Sequence, residues 1–145
     1  MNDKAQTYLC FDFGLKRFGV AVGNNFLKRG QELAPIKAKD GIPDWGIIEQ
    51  LVQEWQPCAF VVGLPLNMDG SESDMSVRAN KFGKRLKGRF NKSVAMMDER
   101  LSSHEAKSRV LQQGGPRDFG AYSVDGAAAC LILESWFSIK DTQDA

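Results

Sequence analysis

Three acidic residues stand where acids are out of place. Asp12 interrupts the apolar run Tyr8-Leu9-Cys10-Phe11-Asp12-Phe13, and Glu99 ends the run Val94-Ala95-Met96-Met97-Asp98-Glu99. Asp125 opens the apolar stretch Asp125-Gly126-Ala127-Ala128-Ala129-Cys130-Leu131-Ile132-Leu133. A carboxylate beside a core is costly to desolvate unless it is paired or binds a cation. Three of them on elements that can meet in one sheet suggest a carboxylate site for a hard divalent ion. Such a site points to phosphoryl-transfer chemistry. Asp98 is a weaker candidate, because strand alternation puts it on the face opposite Glu99.

Each acid also has a plainer account. Asp12 can pair with Lys16 or Arg17 in a hairpin, Glu99 can pair with Arg100, and Asp125 can favour a helix N-terminus through the dipole. Their joint occurrence argues for the metal site. Around them, Asn67 and Ser71 follow a strand end and could touch a substrate backbone, or simply build a turn. Arg100 could neutralise phosphate, and Ser102 reads first as a helix cap. His104, the one histidine, falls at an exposed helix start and receives no role. The letters Asp12-Phe13-Gly14 match a kinase motif, but no other kinase element is present.

The elements that must position these residues follow from periodicity. Tyr8–Phe13 alternates as a strand, Gly14–Arg17 turns, and Phe18–Gly23 returns as a hairpin partner. A third strand lies within Gly30–Ala38, where Pro35 implies an edge or a bulge. Pro43–Gln56 has helical apolar spacing, with Pro43 suited to the first turn. Cys58–Gly63 is a continuous apolar run, as a buried parallel strand requires. A loop with a turn at Asp69-Gly70 leads to a helix over about Asp74–Arg89, then to a strand at Val94–Met97. Ser102 and Glu105 form a capping box for a helix ending near Gly114. A Gly-rich loop and a last helix over about Ser123–Ile139 complete the order β-β-β-α-β-α-β-α-α. This predicts one α/β domain over residues 1–145, a mixed five-stranded sheet with helices on both faces. Glu99 and Asp12 then lie at carboxyl ends of strands, where open α/β sheets form their sites.

Composition is that of an ordinary globular chain, 145 residues with 43% hydrophobic and 26% charged. No apolar run is long enough to span a bilayer, and the first residues show no signal-peptide pattern. Cys10, Cys58 and Cys130 are odd in number and far apart, which predicts buried free thiols and a reducing cytoplasm. The net charge of +1 hides a basic block from Arg78 to Lys92 that contains no acid. Lys81, Arg85 and Arg89 within it share a helical face. The block suits a polyanionic partner or a merely solvated helix.

The arrangement resembles the RNase H-like superfamily and, within it, the YqgF/RuvX family of Holliday junction resolvase-like proteins, also described as pre-16S rRNA nucleases. The resemblance rests on the segments Phe11–Gly23, Val61–Gly70, Asp98–Ser103 and Val124–Ala129, in that order. It implies an RNase H-like fold and Asp12, Glu99 and Asp125 as catalytic, metal-binding acids. It also implies Mg2+ or Mn2+ as cofactor, and cleavage of a nucleic-acid phosphodiester in trimming precursor ribosomal RNA, with branched DNA as the other substrate. Asp12 would be shared by two ions, with Glu99 and Asp125 completing one side each. Lys16, Arg17, Asn67, Arg85, Arg100 and Arg117 are the expected nucleic-acid contacts. The chain departs from the family pattern at Leu15, where a small residue such as Thr is common. It also departs before Asp125, where a Lys is common and this chain has Gly120-Ala121-Tyr122-Ser123. Arg117 is the replacement expected there.

Two further classes compete. Asp12-x-Gly14 with Gly19-Val20-Ala21 also resembles the first phosphate loop of actin-like ATPases, but those enclose nucleotide between two lobes and this chain has length for one. A non-catalytic nucleic-acid-binding protein would use the basic helix alone, and would not need all three acids.

Overall fold

The computed structural model describes residues 6–99 and 124–144, with the side chains of the last helix described over 127–140. The elements run β1 (Thr7–Asp12), β2 (Arg17–Asn24), β3 (Gln31–Lys39), β4 (Ile42–Pro43), α1 (Trp45–Trp55), β5 (Ala59–Leu64), α2 (Asp74–Phe90) and β6 (Ser93–Asp98). The last described element is α3 (Val124–Asp144). The capping box at Ser102 and Glu105, its helix and the loop with Arg117 fall outside the described residues.

One mixed sheet has the order β4-β3-β2-β1-β5-β6. The β1–β2 and β2–β3 pairs are antiparallel, and β5 joins β1 and β6 in parallel. The sheet thus has six strands, one more than periodicity predicts. The addition is the two-residue β4, which pairs Pro43 with Ala38 and Ile42 with Lys39. That pairing also moves the start of α1. Pro43 belongs to the strand, and Asp44 caps the helix, its side chain accepting from the Gly46 N–H at 3.0 Å. Pro35 sits in a bulge. The β2–β3 register shifts between Phe18 and Val20, which face Ile36 and Leu33, so Pro35 has no ladder position to fill.

Alternation along the strands divides the core in two. Leu9, Phe11, Phe18, Val20, Phe60 and Val62 turn to α1 and α2, meeting Ile48, Ala79, Phe82 and Leu86. Tyr8, Cys10, Ala21, Val61 and Met97 turn to α3, meeting Ala129, Cys130, Ile132, Leu133 and Phe137. Burying each large apolar side chain contributes about 1.5–3 kcal/mol, so the sheet's orientation is strongly specified. A one-residue slip of β1 would exchange its two faces. Ser73 closes a capping box at the start of α2 with Ser76. Asn91, in the left-handed region at φ 54°, ends the helix. The cysteines are free, Cys10 and Cys130 buried as expected. Cys58 is exposed instead, because it precedes β5 and takes no place in either layer.

Candidate active site

Asp12 is the last residue of β1 and shares a face with Tyr8 and Cys10, the face covered by α3. Its partner on β2 is Gly19. On the other side Phe11 pairs with Val62, so the next position along β5 is Gly63. Asp12 is therefore flanked across both neighbouring strands by residues without side chains.

Gly63 has a second neighbour. It pairs with Met97, and Leu64 pairs with Asp98. Glu99 follows immediately and, by alternation from Ala95 and Met97, returns to the α3 face. A Cβ added to Gly63 would come within 2.9 Å of Glu99 Oε2 and 2.6 Å of Ile132 Cδ1. Gly63 is thus the gap into which the Glu99 side chain folds. Asp98 lies on the opposite face, in keeping with alternation. The electrostatics agree with this geometry: the buried Cys10 thiol is pushed well up, first by burial, then by the negative charges of Asp12, Cys130 and Glu99. Glu99 itself is raised, chiefly by burial and secondly by the adjacent Asp98 charge.

α3 runs antiparallel to β1. Trp136, Phe137 and Lys140 surround Tyr8 at the start of β1, and Ile132 reaches Gly63 near the far end. Asp125 lies seven residues before Ile132, about 10 Å further along the axis toward the carboxyl end of β1. Its side chain lies outside the described residues. The first turn of α3 brings positive dipole to that end of the sheet, which favours bound anions.

The other expected contacts are distributed unevenly. Lys16 and Arg17 are exposed at the β1–β2 turn. Arg17 is two residues from Gly19 on β2 and, by alternation, turns to the same face. Gly14 is required in that turn, since a Cβ there would collide with the Arg17 carbonyl oxygen. Leu15 is exposed at the tip, and its carbonyl accepts from the Gly41 N–H at 2.9 Å. The Asn67 amide donates to Ser71 Oγ at 3.0 Å and to the Glu72 carbonyl at 3.2 Å, so it braces its own loop. Arg85 lies on α2, across the sheet from the acids. Arg100 and Arg117 fall outside the described residues.

Sequence patterning alone does not single out Gly19 and Gly63 as site residues. The signal it does carry is a glycine at the end of each strand that borders the acid-bearing one.

The donors on this face are carboxylate oxygens, the set that Mg2+ and Mn2+ prefer. Among the described residues no group of three His, Cys, Asp or Glu side chains forms a complete metal cluster. Asp12 and Glu99 are carboxylates that the strand register places on this face, at the ends of β1 and β6.

A family model described as "RuvX: Holliday junction resolvase" matches residues 6–139. A protein of Marinobacter nauticus named "Putative pre-16S rRNA nuclease" is 58% identical over 128 residues, 88% of this chain and 90% of that one. One of the same name from Hahella chejuensis is 55% identical over 140 residues, covering 96% and 89%. Among solved structures, the Thermus thermophilus RuvC in complex with a Holliday junction substrate superposes with a TM-score of 0.62 at 12% identity, covering 94% of this chain and 96% of that one. The yeast mitochondrial Holliday junction resolvase Ydc2 gives 0.56 at 12% identity, covering 94% and 80%. The fold is that of the RuvC-like, RNase H-type resolvases.

Proposed function

As this chain belongs to the RuvX family, we propose that it is a single-domain, metal-dependent nuclease that hydrolyses phosphodiester bonds in precursor 16S ribosomal RNA. The observation that carries the reading is the placement of Asp12 and Glu99 on one face, on either side of Gly63, at the carboxyl ends of β1 and β6. The names of relatives more than half identical over most of the chain supply the substrate. No described helix is long and apolar enough to cross a membrane, and the free cysteines suit the cytoplasm.

Asp12 and Glu99, with Asp125, would hold Mg2+ or Mn2+ at the end of the sheet. Bound there, such a cation would supply neutralisation of phosphate charge and activation of the attacking water. The chain's own part is positioning. Gly19 places no side chain beside Asp12, and Gly63 makes room for Glu99. Lys16 and Arg17 stand at the adjoining turn to orient the strand's charge, with Arg100 and Arg117 as further phosphate contacts. The start of α3 adds positive potential to the same end. The face beneath, with Cys10 and Met97, is buried against α3.

The family description and the RuvC likeness favour branched DNA as a second substrate. The test is cleavage of a precursor-16S RNA fragment and of a four-way DNA junction, each with Mg2+, with Mn2+ and with chelator. Metal-dependent cleavage of the RNA supports the proposal. Cleavage confined to the junction transfers it to DNA, and cleavage that persists in chelator contradicts the metal site.

A further inference from the structure

On the sheet face away from the acids, α2 and the β3–β4 turn enclose a groove of about 530 Å³. Arg78, Lys81 and Arg85 line one wall, at helical spacings of three and four. Phe13, Ile42 and Pro43 form the other wall and the floor. The groove lies at the same end of the sheet as the acids, on its opposite face: Phe13 follows Asp12 directly, and the loop after β5 leads to the first turn of α2. Arg78 is held in place: its Nη1 donates to the Asp40 carbonyl at 3.3 Å, and its other donors remain on the guanidinium fork. The turn that receives it needs Gly41, at φ +80°, where a Cβ would also strike the Phe13 ring at 2.9 Å. Asp40 and Asp74 also line the groove. They gather near the first turn of α2, and the cations continue beyond them along the helix. Arg89, next on the same helical stripe, is stacked 4.2 Å from the Trp45 ring centroid and lies outside the groove lining.

We infer that this groove binds a single-stranded RNA segment that flanks the cleaved bond, its phosphates on Arg78, Lys81 and Arg85. The inference rests on the RNA-nuclease reading above and extends it to a second binding surface. A cationic wall facing apolar surface is the arrangement that tracks a single strand, the backbone on the cations and base faces on the apolar side. Ile42, 58% exposed, offers that apolar side at the rim, and Val77, 45% exposed, adds apolar surface on the α2 wall itself. A groove between a helix and a two-residue hairpin accommodates one strand, whereas a duplex would present its phosphates to a broad open surface.

The experiment measures binding of a fluorescent 12-nucleotide RNA across a salt series, in the Asp12→Asn background so that no cleavage intervenes. Arg78→Gln, Lys81→Gln and Arg85→Gln together should weaken binding at least about tenfold and reduce the slope of log affinity against log salt by about 2, near 0.7 for each phosphate left without its cation. Lys84→Gln, Lys87→Gln and Lys92→Gln together remove the same charge from outside the groove and should leave most of the slope. Circular dichroism verifies that both triple variants are folded. Equal weakening in the two variants, or none in the first, overturns the inference. The same slope change with a DNA 12-mer of identical sequence and equal affinity overturns the assignment to RNA. Cleavage by the parent protein, measured in parallel, separates the two readings. A parent that cleaves RNA alongside an unaffected groove variant sinks only the groove, and a parent that cuts no RNA sinks the nuclease reading even where groove binding is seen.

Discussion

At the scale of single residues, the site depends on what is missing as much as on what is present. Gly63 has no side chain, and that absence lets Glu99 and Ile132 share its space. Gly63→Ala should destabilise the fold by about 1–3 kcal/mol through overpacking and should impair cleavage by displacing Glu99. Urea denaturation and a cleavage assay check both, and a variant as stable and active as the parent would show that Glu99 does not need that gap. Glu99 carries a second expectation. Its carboxyl is raised in the folded state, mainly by burial, so the folded protein holds that proton more tightly than the unfolded chain does. The resulting stabilisation is complete below the unshifted value of 4.5 and is lost as pH rises through the folded value. In metal-free protein, Glu99→Gln should therefore melt at a higher temperature than the parent at pH 7, and the gap should close toward pH 4. A gap that stays constant with pH would mean that Glu99 does not titrate as its burial dictates.

At the scale of elements, α3 has the most to hold. It covers the face that carries Asp12 and Glu99, and it is tied to the β2–β3 connection by one buried carboxylate. Glu134 is 1% exposed and accepts from the Gly30 N–H at 2.8 Å. Glu134→Ala should cost about 2 kcal/mol, the scale of a hydrogen bond to a charged group, while Glu134→Gln, which keeps an acceptor, should cost less. Equal unfolding midpoints for the two variants would contradict that account. Most elements are legible in the sequence because their periodicities are strong: the hairpin, the apolar β5 run and the amphipathic α2 all form where spacing puts them. What is not legible depends on contacts between distant segments. The short β4 has no pattern of its own and exists because Ala38 and Lys39 meet it across Gly41. The flanking of Asp12 by Gly19 and Gly63 is a matter of register, which local periodicity does not encode. In the sequence Arg78 is one member of a charged block; its place in a groove comes from the Asp40 carbonyl, 38 residues away.

At the scale of the whole molecule, the sheet gathers chemistry at one end. Parallel β1, β5 and β6 bring their carboxyl ends together, the β1–β2 turn sets two cations beside them, and α3 approaches with its first turn leading. A basic groove on the other face begins at the same end, so a bound strand could run from the acids along α2. The carboxylate of Asp12 should be indispensable to the reaction and dispensable to the fold. The direct measurement is Mg2+-dependent cleavage of a precursor-16S RNA fragment by the parent and by Asp12→Asn, purified identically, with melting temperatures recorded for both. The parent should cleave, Asp12→Asn should show no detectable cleavage, and the variant should melt no lower than the parent. Cleavage at the parent's rate by folded Asp12→Asn would place the reaction's essential carboxylate elsewhere.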